Sequence, residues 1–141
     1  MPLDPEIDAK IRESFDKQSL MATLGAQLLR VDDGEVHIEA PIQDGSLQQQ
    51  GFAHAGLTFA IGDSAAGYAA LSILANDQEV LTTEMKINLL APGAGDRLVA
   101  RGRVIKPGRR LMVVQSDVYS LKNGQERHIA LLTGSMMPVP I

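Results

Sequence analysis

The chain contains no cysteine in 141 residues, which excludes disulfides, thiolate metal ligands and a cysteine nucleophile together. It also lacks tryptophan, and aromatic residues make up only 4% of it, too few to indicate a ligand. There is no basic excess: 13 Lys and Arg against 17 Asp and Glu leave a net charge of −4, which argues against a nucleic-acid partner. The 3 histidines are scattered and have no cysteine beside them, so no metal site is expected. The N-terminal residues alternate charged and apolar positions and carry no secretory signature. The one long hydrophobic run, residues 55–74, is rich in alanine and glycine, holds Asp63 near its centre and lacks flanking basic residues. It reads as buried in protein rather than lipid, and a cytoplasmic location is the expectation.

What is present is an ordinary globular composition, 45% hydrophobic and 21% charged, with enough chain for one core. Asp4 and Pro5 supply an N-cap and a proline at the first helical position, and Ile7, Ile11 and Phe15 fall four apart, predicting a helix over residues 5–17. Residues 19–24 add a short turn ended by Gly25. Residues 26–31 and 35–40 flank Asp33-Gly34, a hairpin signal, with Val36, Ile38 and Ala40 on one face and His37 on the polar one. After the long run, period two returns over 84–91, 98–105, 112–121 and 127–137, with turns at 92–96, 106–110 and 122–124. His128, near the start of the last strand, reads as a surface residue. The expected class is α+β: an N-terminal helical segment (1–18), then one domain (19–141) in which a curved, hairpin-connected antiparallel sheet wraps one long central helix. Ala60, Gly62, Ala65, Ala66, Gly67 and Ala69 would let that helix lie close to the sheet, helped by Ala100 and Gly102 on a facing strand.

Residues 48–74 carry the chemical signal. Three glutamines and Gly51 lead to His54, and the helix that follows is apolar all round, as a buried helix is. An ionised carboxylate inside such a helix is costly unless it is paired, hydrogen-bonded or wetted by a cleft, so Asp63 is a candidate for chemistry. His54 and Asp63 are separated by about 13 Å of helical rise and half a turn, and cannot meet on one regular helix. His54, Ala55 and Gly56 instead stand where the helix starts, with free N–H groups and the positive dipole end. The segment from Gly62 to Gly67 is only superficially like a nucleophile elbow, since no strand precedes it, and a serine hydrolase is not expected.

Gln48 stands six before His54, Asp63 nine after it, and the strand from Leu81 to Pro92 carries a matching order of hydroxyl, acidic, basic and apolar positions. In these features, and in element order over residues 20–137, the chain resembles the hotdog-fold acyl-CoA thioesterases of the phenylacetic-acid-degradation type. That family more often has asparagine at the place of Gln48 and glycine at that of Ala55. Glutamine keeps the carboxamide with one more methylene; alanine keeps the N–H but adds a Cβ near the thioester.

The resemblance implies a homo-oligomer, a dimer or a tetramer of dimers, in which Asp63 of one subunit faces the helix start of the other. The substrate would be an acyl-CoA, hydrolysed without cofactor or metal. Asp63 would act as general base, or as a nucleophile forming an anhydride. The Ala55 N–H beside Gly56 would hold the oxyanion, and Gln48 the attacking water or the thioester oxygen. His54 would position the turn by hydrogen bonding or take part in proton transfer. Thr82, which fits the family position better than Thr83, would orient Asp63. Phe52 and Phe59 would line the acyl pocket. Lys106, Arg109 and Arg110, with Lys86 and Asn88 on the nearby strand, would meet the coenzyme A nucleotide, unless they are merely solvated. The same architecture also serves acyl-thioester hydratases and dehydratases and non-catalytic acyl-CoA-binding proteins, and these are the alternatives.

Overall fold

The structure is a computed structural model and describes residues 2–141. The Asp4 carboxylate accepts the Glu6 N–H at 2.8 Å and Pro5 opens the first turn of α1 (Pro5–Asp16). Its predicted stripe, Ile7, Ile11 and Phe15, is buried. Helix α2 (Ser19–Leu24) ends at Gly25, whose φ of 69° is the left-handed conformation that a helix C-cap favours. The hairpin of β1 (Gln27–Asp32) and β2 (Glu35–Pro41) then leads through a short turn at Asp44–Ser46 to the central helix α3 (Ala55–Ser72). Four strands complete the fold: β3 (Gln78–Leu89), β4 (Arg97–Lys106), β5 (Met112–Lys122) and β6 (Gln125–Pro140).

All pairings are antiparallel, in the order β1-β2-β4-β5-β6-β3. The hotdog architecture expected from the sequence is therefore present, with one departure. Residues 92–96 do not close a hairpin. Both edges of β4 are taken, by β2 and β5, so β3 lies beyond β6 at the edge of the sheet. The β3–β4 connection instead runs over the β5–β6 end, where the Asp96 N–H donates to the Leu121 carbonyl at 2.7 Å. Strand β3 also starts earlier than period two indicates, because a bulge between Thr82 and Glu84 interrupts the alternation.

Small residues set the distance between α3 and the sheet. A Cβ at Gly102 would lie 2.3 Å from the carbonyl carbon of Ala65, and one at Gly62 would lie 2.8 Å from Leu132. The Ser116 hydroxyl, from β5, donates to the Gly62 carbonyl at 2.6 Å and pins the contact. Ala65, Ala66, Ala69 and Ala70 are wholly buried. Yet α3 is not covered all round. Gly56, Phe59, Ala60, Asp63, Ser64 and Gly67 recur every three or four residues and remain exposed or half-exposed, a stripe on one side of an otherwise apolar helix. Among the described residues, no helix is long and apolar enough to cross a membrane.

Gly102→Ala should lower stability by about 1–3 kcal/mol in denaturant titration, since the added methyl collides with helix backbone that cannot move alone. Gly45→Ala, where a Cβ meets nothing within 4 Å, should change it by less than about 0.5 kcal/mol.

Candidate active site

The start of α3 is a built cap. His54 is extended, with ψ 141°, and its Nδ1 accepts the Gly56 N–H at 2.7 Å. A side chain at Gly56 would come within 2.9 Å of that nitrogen, which is the local reason for glycine there. The His54 N–H donates to the Ser46 carbonyl at 2.9 Å, and its own carbonyl takes the Leu57 and Thr58 N–H groups. Among the described residues, the Ala55 N–H finds no hydrogen-bond acceptor. A free donor at the positive end of a long helix is suited to hold developing negative charge.

Ala55 lines a cleft of about 410 Å³ together with Gln48, Phe52, Thr58, Leu90 and Gly93. Gln48 stands at the base of a tight loop: its N–H donates to the Phe52 carbonyl at 2.8 Å, and Gly51 turns the chain at φ 86°. The Gln48 Oε1 accepts the N–H groups of Gln50 and Phe52. Its acceptor is thus occupied by its own loop, and the Nε2, with a single long contact to Gln50 at 3.4 Å, is the group left to donate. Thr58, 2% exposed, lines the same cleft, and its hydroxyl has no hydrogen-bond partner among the described residues. Sequence reading missed Thr58, because nothing in a helical pattern distinguishes a core threonine from one at a cleft wall.

Asp63, half-buried, lies on the uncovered stripe of α3. The Thr82 hydroxyl donates to its Oδ1 at 2.9 Å. Thr82 Oγ1 also lies 3.1 Å from the Met136 sulfur, but one hydroxyl proton serves one acceptor and the carboxylate is much the stronger. Thr83 turns instead to Ser135, at 2.8 Å, so the bulge separates the two threonines and Thr82 alone reaches the acid. Burial pushes the Asp63 carboxyl above its ordinary range, and the Thr82 hydrogen bond opposes this in part.

Asp63 opens into a second cleft of about 250 Å³, shared with Ser14, Gln18, Ser64, Tyr68 and Thr82. Tyr68 ties this wall to the N-terminal helices: its hydroxyl is 3.0 Å from Ser14 Oγ and accepts from Gln18 Nε2 at 2.7 Å. This network was also missed, because it depends on α1 docking against the middle of α3. The two clefts have no lining residue in common. Ala55 and Asp63 are about 12 Å apart along the helix axis and roughly 80° out of phase. Within one chain, the free N–H and the acid therefore stand at separate clefts.

The other expected residues fall elsewhere. Phe59 is exposed on the α3 stripe, whereas Phe52 lines the Ala55 cleft. Ile87 faces the core, so by alternation Lys86 and Asn88 face outward from β3, away from both clefts. Lys106, Arg109 and Arg110 do not reach Ala55 in the same chain. Arg109 borders a cavity with Ile73, Leu74 and Met112, at the C-terminal end of α3, some 27 Å from its start. Within one chain the turn therefore stands at the opposite end of α3 from the Ala55 cleft, because β4 runs the length of the helix between them.

Residues 50–126 match the sequence pattern of the thioesterase superfamily. A thioesterase family protein from Silicibacter pomeroyi is 41% identical, with a TM-score of 0.93 over 96% of this chain and 99% of that one. The PaaI protein of the E. coli phenylacetic acid degradation operon is 22% identical, with a TM-score of 0.86 over 97% and 96% of the two chains, and shares the fold. So does a thioesterase from Haemophilus influenzae, 19% identical, at a TM-score of 0.81 over 90% of this chain and 87% of that one.

The raised pKa of Asp63 makes its ionisation a cost to folding. Stability is highest with the acid protonated and falls as pH rises from the unfolded value, about 3.9, through the raised folded value. Asp63→Asn should therefore be more stable than the unmodified protein at pH 7. That advantage should shrink towards zero near pH 4 in denaturant titrations run across the range.

Proposed function

The chain belongs to the thioesterase superfamily, and on that premise we propose that it hydrolyses an acyl-CoA thioester to the free acid and coenzyme A. The observation that carries this reading is the uncovered stripe of α3, which holds Asp63 next to a free sheet edge. Strand β3 is 12 residues long, has one unpaired edge, and presents Leu81 and Leu89 at 53% and 60% exposure. An edge of that length and polarity is a liability unless something covers it. A second copy related by a two-fold axis would cover the edge and stripe of both chains at once. It would also bring the Asp63 of each subunit towards the Ala55 cleft of the other, giving two equivalent sites.

In such a site the thioester carbonyl lies against the Ala55 N–H, with Gln48 Nε2 as second donor. Asp63 takes a proton from a water molecule as that water attacks the carbonyl carbon. The carbonyl electrons move to oxygen, where the two donors hold the oxyanion, and its collapse expels the coenzyme A thiolate. A thiolate is a weak enough base to leave without a general acid, and no step needs a metal or a cofactor. Burial favours the base role, since a carboxylate with a raised pKa is a better proton acceptor. Thr82 keeps the carboxylate aimed, and His54 acts as a positioning residue by fixing the start of the helix. Phe52 contributes to the acyl or pantetheine wall on one side, and the partner's stripe, with Phe59, to the other.

Asp63→Asn should lower kcat for thiol release from acyl-CoA by about 10²–10⁴-fold while the oligomer and its circular dichroism persist. Retained turnover would remove Asp63 from the mechanism. Ala55→Pro deletes the one free N–H, yet proline is favoured at the first helical position and His54 already has the extended backbone it requires. It should cost about 10²–10³-fold in kcat with the helix intact.

A further inference from the structure

Seven of the 13 lysines and arginines are held in ion pairs. Among the described residues, Lys86, Lys106, Arg109, Arg110, Lys122 and Arg127 have no acidic partner. Lys106, Arg109 and Arg110 stand at the far end of α3, and Lys86 faces outward from β3. Lys122 and Arg127 are differently placed. They flank the β5–β6 hairpin and line a cleft of about 600 Å³ with Ala94, Ser120, Gln125 and Glu126.

This cleft adjoins the one that holds Ala55. Gly93 lines the first and Ala94 the second. Ile129 lines the first and Arg127 the second, about 7 Å apart along β6. The register sets Arg127 opposite Ser120 and Gln125 opposite Lys122. Ser120 itself pairs with Leu98, a core residue, so these side chains share the concave face of the sheet. Glu126, the acid at this cleft, makes a bidentate pair with Arg101, which leaves the two cations uncompensated. The Ser120 hydroxyl, on a residue 3% exposed, has no hydrogen-bond partner among the described residues and lines the same space. Two free cations and an unpartnered hydroxyl that opens onto the cleft are suited to phosphate oxygens.

We propose that the Lys122–Arg127–Ser120 cleft binds the phosphate groups of the coenzyme A nucleotide, after the pantetheine arm has passed from Ala55 along Leu90–Gly93. The proposal rests on the thioesterase reading for the direction of the arm. It moves the nucleotide from the β4–β5 turn, where the sequence suggested it, to the β5–β6 hairpin.

The test is Lys122→Glu and Arg127→Glu, singly and together, in the full-length protein, with Arg109→Glu as the comparison. KM for an acyl-CoA should rise about tenfold in the double variant, with kcat nearly unchanged. KM for the same acyl group on pantetheine, which lacks the nucleotide, should not move, and Arg109→Glu should alter neither. Equal effects on both thioesters, or a selective effect at Arg109 and none at the hairpin, would overturn the proposal. Calorimetric binding of adenosine 3′,5′-bisphosphate separates this failure from that of the hydrolase reading. If no thioester is cleaved but the nucleotide binds and the double variant loses it, the phosphate site stands alone. Binding unchanged by the double variant, or no binding at all, removes it.

Discussion

The hydrogen bond from Thr82 to Asp63, 2.9 Å long, joins the one charged residue of α3 to the one strand whose outer side is unpaired on that flank. Its position follows from packing on the other face of the same turns of the helix. Gly102 and Gly62 allow α3 to touch the sheet at backbone distance, and the hydroxyl of Ser116 holds it there. That contact fixes the rotation of the helix, and the rotation decides which residues are left uncovered. Were α3 turned by one residue, Asp63 would leave Thr82 for the closely packed face of the helix. The acid is half-buried because the helix is close, and it is partnered because the bulge in β3 delivers Thr82 and not Thr83.

The same rigidity keeps the two chemical halves apart. A donor at the first turn and a base two turns on cannot converge on one carbonyl while they share a straight helix. In the proposed dimer a two-fold axis would resolve this without any bend: the start of each helix would meet the middle of the other, and the exposed stripe would become an interface. In that arrangement the proposed substrate would span subunits, with its acyl end towards the Asp63 cleft. Its coenzyme A arm would leave along the end of the sheet where the β3–β4 connection and the β5–β6 hairpin meet.

Much of this was legible before any coordinates. Asp4-Pro5, the Asp33-Gly34 hairpin and the small-residue helix each rest on local chemistry, and each element formed where that chemistry placed it. The capping role of His54 was foreseen as well, since it needs only the residue and the helix start. The neighbour of β3 was not foreseen, because hairpin logic joins sequential strands and strand order is a long-range property. The apolar composition of α3 predicts a buried helix, but which of its residues the chain itself leaves uncovered depends on how the helix is rotated against the sheet. The basic turn around Arg109 was conspicuous in the sequence as a run, while Lys122 and Arg127, separated by a hairpin, became neighbours only through register.

The central claim is that each catalytic site takes its oxyanion donor from one chain and its base from another. Co-refolding equal amounts of Ala55→Pro and Asp63→Asn subunits measures this directly. Random pairing places about half of the dimers in the mixed form, each with one intact and one doubly defective site, so about a quarter of the unmodified activity should return. A mixture no more active than the two variants measured separately would mean that donor and base act within one chain, and would contradict the account.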